Sequence, residues 1–288
     1  MKKIFLVVNP RSGNGKGKKL ISKIVASFKK NGVHADYRFI DRFEDIPCLI
    51  QEISGEYQYV AACGGDGTLN AVVNACIPYN FTVIFIPLGT INIFAKEFKI
   101  PMDPVKAAGK IANGKEVNID LIKTGDKYAL LMVSAGLDSY IVDKVMTTYK
   151  KHGKLLYTIE TVKNSFVYKY PDIKVMIDGK IYQGKFIFAG KSTKYAGFLN
   201  FTPDARFDDG WINVCIFKKA GAWAHFFFVL KTLLGRHLKS KYVEVLKTKE
   251  LTLLGPPEII SQVDGDVYKS LPYEIKLAPG KMRFLVPC

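Results

Sequence analysis

The segment Gly64-Gly65-Asp66-Gly67-Thr68 constrains the fold of this chain more than any other stretch. An apolar run precedes it at 59–62, and apolar residues at helical spacing follow it at 69–75. This order predicts a strand, a tight glycine turn and a helix, because glycine permits close backbone approaches that a Cβ prevents. Amides at the start of such a helix favour phosphate. A carboxylate there would repel phosphate unless a cation lies between them, so Asp66 is a candidate Mg²⁺ contact.

Two further polar turns follow predicted strands in the first third of the chain. One follows the apolar run 4–8 and spans 9–17, and the other follows the run 81–86 and begins at Pro87. The alternation of strands and helices predicts a parallel α/β sheet. Ligands bind at the carboxyl ends of the strands in such sheets, so we expect the three turns to meet at one crevice. The first turn has the glycine spacing of neither a P-loop nor a dinucleotide-binding fingerprint.

The second half of the chain has a different pattern. After residue 171 most predicted elements are short strands, and Asp178-Gly179 is a hairpin signal. This pattern predicts a β-rich second domain of the sandwich type. We therefore expect a first domain over 1–122, a second over 123–275, and a C-terminal tail, 276–288, that returns to the first.

Charge and cysteine content narrow the functional classes. The formal net charge is +16, which suits nucleotides, nucleic acids or anionic membranes as partners. The five cysteines form no CxxC pair, which favours a reducing cytosol over a disulfide framework or a zinc site. The first apolar run is too short for a signal peptide and predicts a strand. The aromatic stretch Trp223 to Leu234 is too short to span a bilayer, and it fits either a core helix or a face that contacts membrane and acyl chains.

Five motifs follow one another along the chain: Asn9-Pro10-x-Ser12-Gly13, Gly64-Gly65-Asp66-Gly67-Thr68-x-Asn70, Pro87-Leu88-Gly89-Thr90-x-Asn92-x-Phe94-Ala95, Phe207-Asp208-Asp209-Gly210-Trp211 and Gln262-Val263-Asp264-Gly265-Asp266. In this order they resemble the motifs of the diacylglycerol kinase catalytic domain family, which includes bacterial lipid kinases and the sphingosine and ceramide kinases. The glycine-aspartate motif alone is shared with NAD kinases and 6-phosphofructokinases. The resemblance implies a first domain of the α/β type found in NAD kinases and 6-phosphofructokinases. It also implies a lipid kinase that uses ATP and Mg²⁺.

The resemblance also assigns roles to individual residues. It implies that ATP is bound by Asn9, Pro10, Arg11, Ser12, Gly13, Gly64, Gly65, Asp66, Gly67, Thr68, Asn70, Gly89 and Thr90. Asp66 would also take part in the Mg²⁺–phosphate network. A structural Mg²⁺ would be held by the carboxylate of Asp209 and the carbonyl groups of Arg206 and Trp211. Asp120 would belong to an interdomain network.

The candidate bases are Asp264 and Asp266, which flank a glycine. One carboxylate could accept the proton of the lipid hydroxyl while the other positions a metal or a basic residue. The family usually has glutamate at the position of Asp266, a small residue at that of Ile91 and aspartate at that of Ile93. These departures leave open which of Asp264 and Asp266 accepts the proton. They also leave open whether the acceptor lipid differs from that of the family.

We therefore expect a cytoplasmic, peripherally membrane-associated lipid kinase, with diacylglycerol as the expected acceptor at an anionic membrane surface. Two alternatives stay open: an NAD kinase-like enzyme, and a catalytically weak lipid-binding or regulatory protein of the same fold. Nucleic-acid binding is suggested only by the charge, and we do not expect it because the chain has no recognised nucleic-acid motif. An exposed strand edge could pair two copies into a homodimer.

Overall fold

A computed structural model describes residues 2–152, 154–197 and 199–288, with side chains described outside 145–160. The chain divides into two compact units. Unit one is Met1–Asp120 with Pro279–Cys288, and unit two is Leu121–Ala278. Among the described residues, no helix is long and apolar enough to cross a membrane.

Strands and helices alternate in unit one. Its elements, in chain order, are β1 (Lys3–Val8), α1 (Ser12–Lys30), β2 (His34–Phe39), a 3₁₀ turn (Phe43–Asp45), α2 (Ile46–Ile53), β3 (Tyr59–Gly64), α3 (Asp66–Cys76), β4 (Thr82–Pro87), α4 (Ile93–Glu97), α5 (Pro104–Ala112) and β5 (Lys115–Thr124), whose end lies in unit two.

Strands dominate unit two. The remaining elements are β6 (Lys127–Ala129), β7 (Met132–Gly136), α6 (Leu137–His152), α7 (Lys154–Val167), β8 (Ile173–Ile177), β9 (Lys180–Gly184), β10 (Phe186–Gly190), β11 (Ile212–Phe217), α8 (Ala222–Leu233), a 3₁₀ turn (His237–Lys239), β12 (Val243–Thr248), β13 (Glu250–Leu254), β14 (Ile260–Val263), β15 (Asp266–Ser270) and β16 (Tyr273–Val286), whose end lies in unit one.

The sheet of unit one has the strand order β2-β1-β3-β4, and all of these neighbours are parallel. Residues 283–285 of β16 add a further parallel strand beside β4. Every residue of β3 and β4 is buried, as expected for parallel strands that are covered on both faces. The structure thus confirms the predicted parallel α/β sheet.

Unit two is a sandwich of two sheets. One has the antiparallel order β12-β11-β10-β7-β14-β15, and the other contains β9, β8, β13 and the first half of β16. Side chains from both sheets share one core, with Val133, Ile187 and Val214 from the first packed among Val175 and Leu253 from the second. This shared core confirms the predicted β sandwich.

Candidate functional site

The three predicted turns of unit one meet at the carboxyl ends of β1, β3 and β4. The amide of Leu88 donates to the carbonyl of Gly64 at 2.7 Å, and the amide of Asn9 donates to the carbonyl of Cys63 at 3.0 Å. β3 pairs with β1 on one side and with β4 on the other, so its turn lies between the other two. The three turns therefore meet at one edge of the sheet, as predicted.

Glycine is required where these turns touch each other. A Cβ on Gly89 would lie 2.7 Å from Cα of Gly65, and a Cβ on Gly13 would lie 2.1 Å from the carbonyl oxygen of Leu88. Gly13 and Gly15 also have φ angles of 59° and 84°, the left-handed region that favours glycine. These glycines therefore allow the turns to pack closely against one another.

Asn9 and Thr68 connect the first two turns. The side-chain amide of Asn9 donates to Oγ1 of Thr68 at 3.1 Å, and its oxygen accepts from the amide of Arg11 at 3.0 Å. Thr68 is buried, and a Cβ on Gly64 would lie 2.3 Å from its Oγ1. Both side chains are thus engaged with protein groups that shape the crevice.

Asp66 connects the second turn to the third. Its carboxylate accepts hydrogen bonds from the amides of Ile93 at 3.0 Å and Phe94 at 3.3 Å, which begin α4. Burial raises the pKa of Asp66, while the amides of Ile93 and Phe94 oppose that rise. Ile93 itself is buried. The carboxylate therefore holds the third turn in place.

The other predicted nucleotide contacts differ in exposure. Arg11 and Thr90 are exposed, as is the departure Ile91, whereas Asn70 is half-buried and accepts from the side-chain amide of Asn74 at 3.1 Å. The remaining half-buried positions are Pro10, Ser12, Gly13, Gly65, Gly67 and Gly89. The exposed side chains of the three turns therefore lie over a buried scaffold of interlocked backbone.

Backbone amides bind the carboxylate of Asp264, one of the two candidate bases. Its carboxylate accepts from the amides of Leu130, Leu131 and Met132 at 2.7, 2.9 and 2.8 Å. Asp264 and Gly265, with φ angles of 50° and 92°, form the two-residue turn between β14 and β15. Because three amides bind the buried carboxylate, it holds this hairpin in place, and a role for Asp264 as the base stays a prediction. Asp266 follows the turn and is exposed.

The predicted metal position at Asp209 holds a lysine ammonium group. Nζ of Lys191 lies 2.7 Å from Oδ1 of Asp209 and 2.7 Å from the carbonyl oxygen of Trp211. The exposed side chain of Arg206 pairs with Asp208. The structure brings Asp209 and Trp211 together, but a positive side chain lies where Mg²⁺ was expected, so these residues do not fit a divalent cation.

Asp120 is buried and forms an ion pair with Lys281, with the carboxylate oxygen 3.0 Å from Nζ. Both residues belong to unit one, where Lys281 lies on the returning β16. This contact joins the last residue before the unit boundary to the C-terminal segment, and a role for Asp120 in an interdomain network stays a prediction.

Unit two contains an apolar cavity of about 670 Å³, of which the sequence indicated only the aromatic stretch that forms α8. Its walls come from α6, α7, α8 and the segment around Tyr195, with Ile141, Phe166, Phe201 and Trp223 among its lining residues. These residues lie far apart in the sequence and form no motif. Only the packing of the three helices brings them together.

Asp138 is the one acidic residue among the described residues that line this cavity. Its carboxylate accepts from Ser134, from Gln262 at 3.2 Å and from Tyr195 at 3.2 Å. Asp138 has some accessible surface because it lines the cavity. It nevertheless lies deep in unit two, and this burial raises the pKa of its carboxyl group. A polar cluster thus lies against an otherwise apolar cavity.

Comparisons with known proteins agree over both units. Residues 3–124 match the family model of the diacylglycerol kinase catalytic domain, and residues 131–286 match that of the YegS C-terminal NAD kinase beta sandwich-like domain. The chain is similar to a diacylglycerol kinase from Staphylococcus carnosus, 27% identical over 94% of this chain and 90% of the relative. It is also similar to a diacylglycerol kinase from Staphylococcus aureus strain MRSA252, 26% identical over 94% of this chain and 88% of the relative.

Solved structures show the same fold. The crystal structure of a diacylglycerol kinase from Bacillus anthracis superposes with a TM-score of 0.78 at 21% identity, covering 99% of this chain and 97% of that one. The chain therefore has a known fold.

Proposed function

Because the chain belongs to the diacylglycerol kinase catalytic domain family, we propose that it is an ATP- and Mg²⁺-dependent lipid kinase with diacylglycerol as its acceptor. The product would be phosphatidic acid. In this proposal the first domain, 1–122, binds the nucleotide and the second, 123–275, binds the lipid. The observation that carries the proposal is the apolar cavity of unit two with Asp138 in its wall.

The cavity favours a lipid acceptor over NAD. Its volume of about 670 Å³ is within the range of ligand sites, and aromatic and aliphatic side chains form most of its lining. Such a surface suits acyl chains and would leave the charged phosphates and ribose hydroxyls of NAD unpaired. The cluster of Asp138, Ser134 and Tyr195 offers hydrogen-bond partners to the polar end of a lipid.

In the proposed nucleotide site, the interlocked turns of unit one hold the phosphates. The amides of 65–67 at the start of α3 would face the phosphates, with Arg11, Ser12 and Thr90 on the accessible rim. Asn9, Thr68 and Asp66 would act by fixing the turns in place, since their side chains already bind protein groups. The buried contacts would therefore preorganise the amides for the anion.

Asp66 fits a contact to the Mg²⁺ that accompanies ATP. Its carboxylate lies at the start of α4 among backbone amides, and Mg²⁺ commonly binds one or two carboxylates and keeps several waters. When bound, this ion would neutralise charge on the transferred phosphoryl group. The residues at Asp209 do not fit a second ion, and we assign no step to one.

We assign proton acceptance to Asp266. The lipid hydroxyl oxygen would form a bond to the γ-phosphorus, the bond from that phosphorus to the bridging oxygen would break, and ADP would leave with that electron pair. The hydroxyl proton would pass to the exposed carboxylate of Asp266, while Asp264 keeps the hairpin in position through its three amide contacts.

One face of α8 supports contact with a membrane. Phe228 packs inward against Phe217 and Phe201, with ring centroids 4.4 and 5.3 Å apart. The opposite face exposes large apolar side chains, namely Trp223, Phe226, Phe227, Leu230, Leu233 and Leu234. Basic residues lie along and after this face, and the whole chain carries a net charge of +16. We propose that this face binds an anionic membrane from the cytoplasmic side and lets the enzyme draw its acceptor from the bilayer.

The test is a comparison of acceptors. The protein is incubated with Mg²⁺ and ATP labelled at the γ-phosphate. Separate reactions contain one acceptor each: diacylglycerol in mixed micelles, sphingosine, ceramide or NAD. We expect labelled phosphatidic acid and no labelled NADP, with Asp266→Asn as the inactive control. Labelled NADP alone would instead establish the NAD kinase alternative. Lipid binding with no labelled product from any acceptor would favour the regulatory alternative.

A further inference from the structure

A buried lysine lies at the Asp209 turn. Lys191 is 0% exposed, and its ammonium group contacts the Asp209 carboxylate and the Trp211 carbonyl at 2.7 Å each. These are two of the three oxygen donors that the family resemblance assigns to a structural Mg²⁺. An ammonium group carries a positive charge and donates three hydrogen bonds, so it satisfies the same oxygens without a metal.

The backbone fixes the point from which this side chain extends. Lys191 directly follows β10, and its amide donates to the carbonyl of Leu131 at 2.9 Å. The amide of Ser192 donates to the same carbonyl at 3.2 Å. A Cβ on Gly190 would lie 2.8 Å from that oxygen, so the sequence Gly190-Lys191 permits the close backbone approach. The placement of the ammonium group thus follows from the end of a regular strand.

A second lysine places another positive charge near the carboxylate of Asp209. Nζ of Lys247 lies 3.8 Å from the other carboxylate oxygen, and the amide of Trp211 donates to Oδ1 at 3.2 Å. Two ammonium groups together supply the charge of one divalent cation. A Mg²⁺ between Asp209 and Trp211 would have to displace Lys191, because like charges in a buried site repel strongly.

We propose that Lys191 replaces the structural divalent cation of unit two. The Asp209 turn is held by an internal ion pair, and the fold of this unit needs no metal at that position. This inference concerns the stability of unit two and holds whether or not the chain phosphorylates a lipid.

The direct test is crystallographic. Wild-type crystals grown with Mn²⁺ and without nucleotide are measured at a wavelength where manganese scatters anomalously. We expect no anomalous peak between Asp209 and Trp211, and continuous density from the backbone of Lys191 to its Nζ. A manganese peak bound to the Asp209 carboxylate and the Trp211 carbonyl would overturn the proposal.

A thermal test uses a matched pair of lysine variants. We expect Lys191→Ala to lower the melting temperature by roughly 6 °C or more, because it leaves a largely buried carboxylate without its main partner. Millimolar Mg²⁺ should restore part of that loss. Lys247→Ala, which removes a half-exposed lysine at 3.8 Å, should cost less than about 2 °C. A wild-type melting temperature that EDTA lowers and Mg²⁺ restores, with no such response in Asp209→Asn, would contradict the proposal even if Lys191→Ala fails to fold.

Discussion

The side-chain amide of Gln262 donates to the carboxylate of Asp138 at 3.2 Å. The same amide nitrogen lies 2.7 Å from Oγ of Ser134, and the Gln262 oxygen accepts from the amide of Gly265 at 2.6 Å. One buried side chain therefore connects the hairpin that carries Asp264 and Asp266 to the polar wall of the apolar cavity. In the proposed enzyme, this connection would link acceptor binding to the position of the base.

Breaking that connection should lower the stability of the protein. We expect Gln262→Leu to lower the free energy of unfolding by about 1–3 kcal/mol, since it leaves the half-buried amide of Gly265 without the Gln262 oxygen as its partner. Urea denaturation measures this change, with Gln51→Ala on the exposed side of α2 as the control. Equal stability of Gln262→Leu and the wild type would show that the contact contributes nothing to the fold.

The two aspartates of the hairpin should separate into a structural and a catalytic role. Asp264→Ala leaves three amides without their acceptor, and we expect it to destabilise the protein by at least about 3 kcal/mol. Asp266→Ala should change stability by less than about 0.5 kcal/mol, because the side chain is exposed, yet it should abolish phosphoryl transfer. Urea denaturation and a kinase assay on both variants decide this. Near wild-type turnover in Asp266→Ala would show that another group accepts the proton.

The close contact between Gly89 and Gly65 predicts a strong effect of one methyl group. In Gly89→Ala the new Cβ would lie 2.7 Å from the Gly65 backbone, so the second and third turns must move apart. We expect a loss of about 1–3 kcal/mol in stability and at least a tenfold weaker affinity for ATP. Gly67→Ala is the control for stability, because a Cβ there meets nothing within 4 Å. Calorimetric titration with ATP measures the affinity. Equal affinity in Gly89→Ala and the wild type would show that the contact between Gly89 and Gly65 is not needed for ATP binding.

His225 should make the protein sensitive to mild acid. Burial among aromatic rings lowers the pKa of His225 to about 4, and neither ring nitrogen has a hydrogen-bond partner in the part of the chain that the structure describes. The unfolded chain takes up a proton below about pH 6.5 and the folded protein does not, so stability is complete above that pH and falls as the pH approaches 4. The expected loss over this range is about 3 kcal/mol. His225→Phe should remove this part of the pH dependence, and identical pH profiles by urea denaturation would refute the assignment.

The exposed face of α8 should control membrane binding without affecting the fold. We expect Phe226→Ser combined with Phe227→Ser to reduce sedimentation with vesicles of anionic phospholipid by at least about tenfold. Stability should change little, since both side chains are more than half exposed, at 56% and 55%. Phe43→Ser, an exposed aromatic position in unit one, is the control. Unchanged vesicle binding in the double variant would exclude this face as the contact.

Local features of the sequence predicted much of unit one and the meeting of its turns. Apolar runs marked β1, β3 and β4, and each glycine turn directly follows its strand. The strand β8 and its hairpin at Asp178-Gly179 were likewise predicted, because the alternation and the turn residues lie within a few positions. In these cases the determining contacts are close in sequence or follow from general rules of sheet topology.

Roles that depend on distant contacts could not be predicted. The amides that occupy Asp264 come from residues more than 130 positions earlier, so a motif that resembles a catalytic pair gave no sign of them. A single lysine after a strand is ordinarily a surface residue, and only the folded chain places Lys191 at Asp209. Asp138 likewise accepts hydrogen bonds from Gln262 and Tyr195, which are remote in sequence, so its place in a polar cluster could not be predicted.

We propose that this chain transfers the γ-phosphoryl group of ATP to a lipid hydroxyl. The transfer can be followed by ³¹P nuclear magnetic resonance of a reaction containing the wild-type protein, ATP, Mg²⁺ and a short-chain diacylglycerol. We predict that the γ-phosphate signal declines as ADP and the phosphomonoester signal of a phosphatidic acid increase in equal amounts. An unchanged ATP spectrum with diacylglycerol, together with conversion of NAD to NADP in a parallel reaction, would contradict the claim.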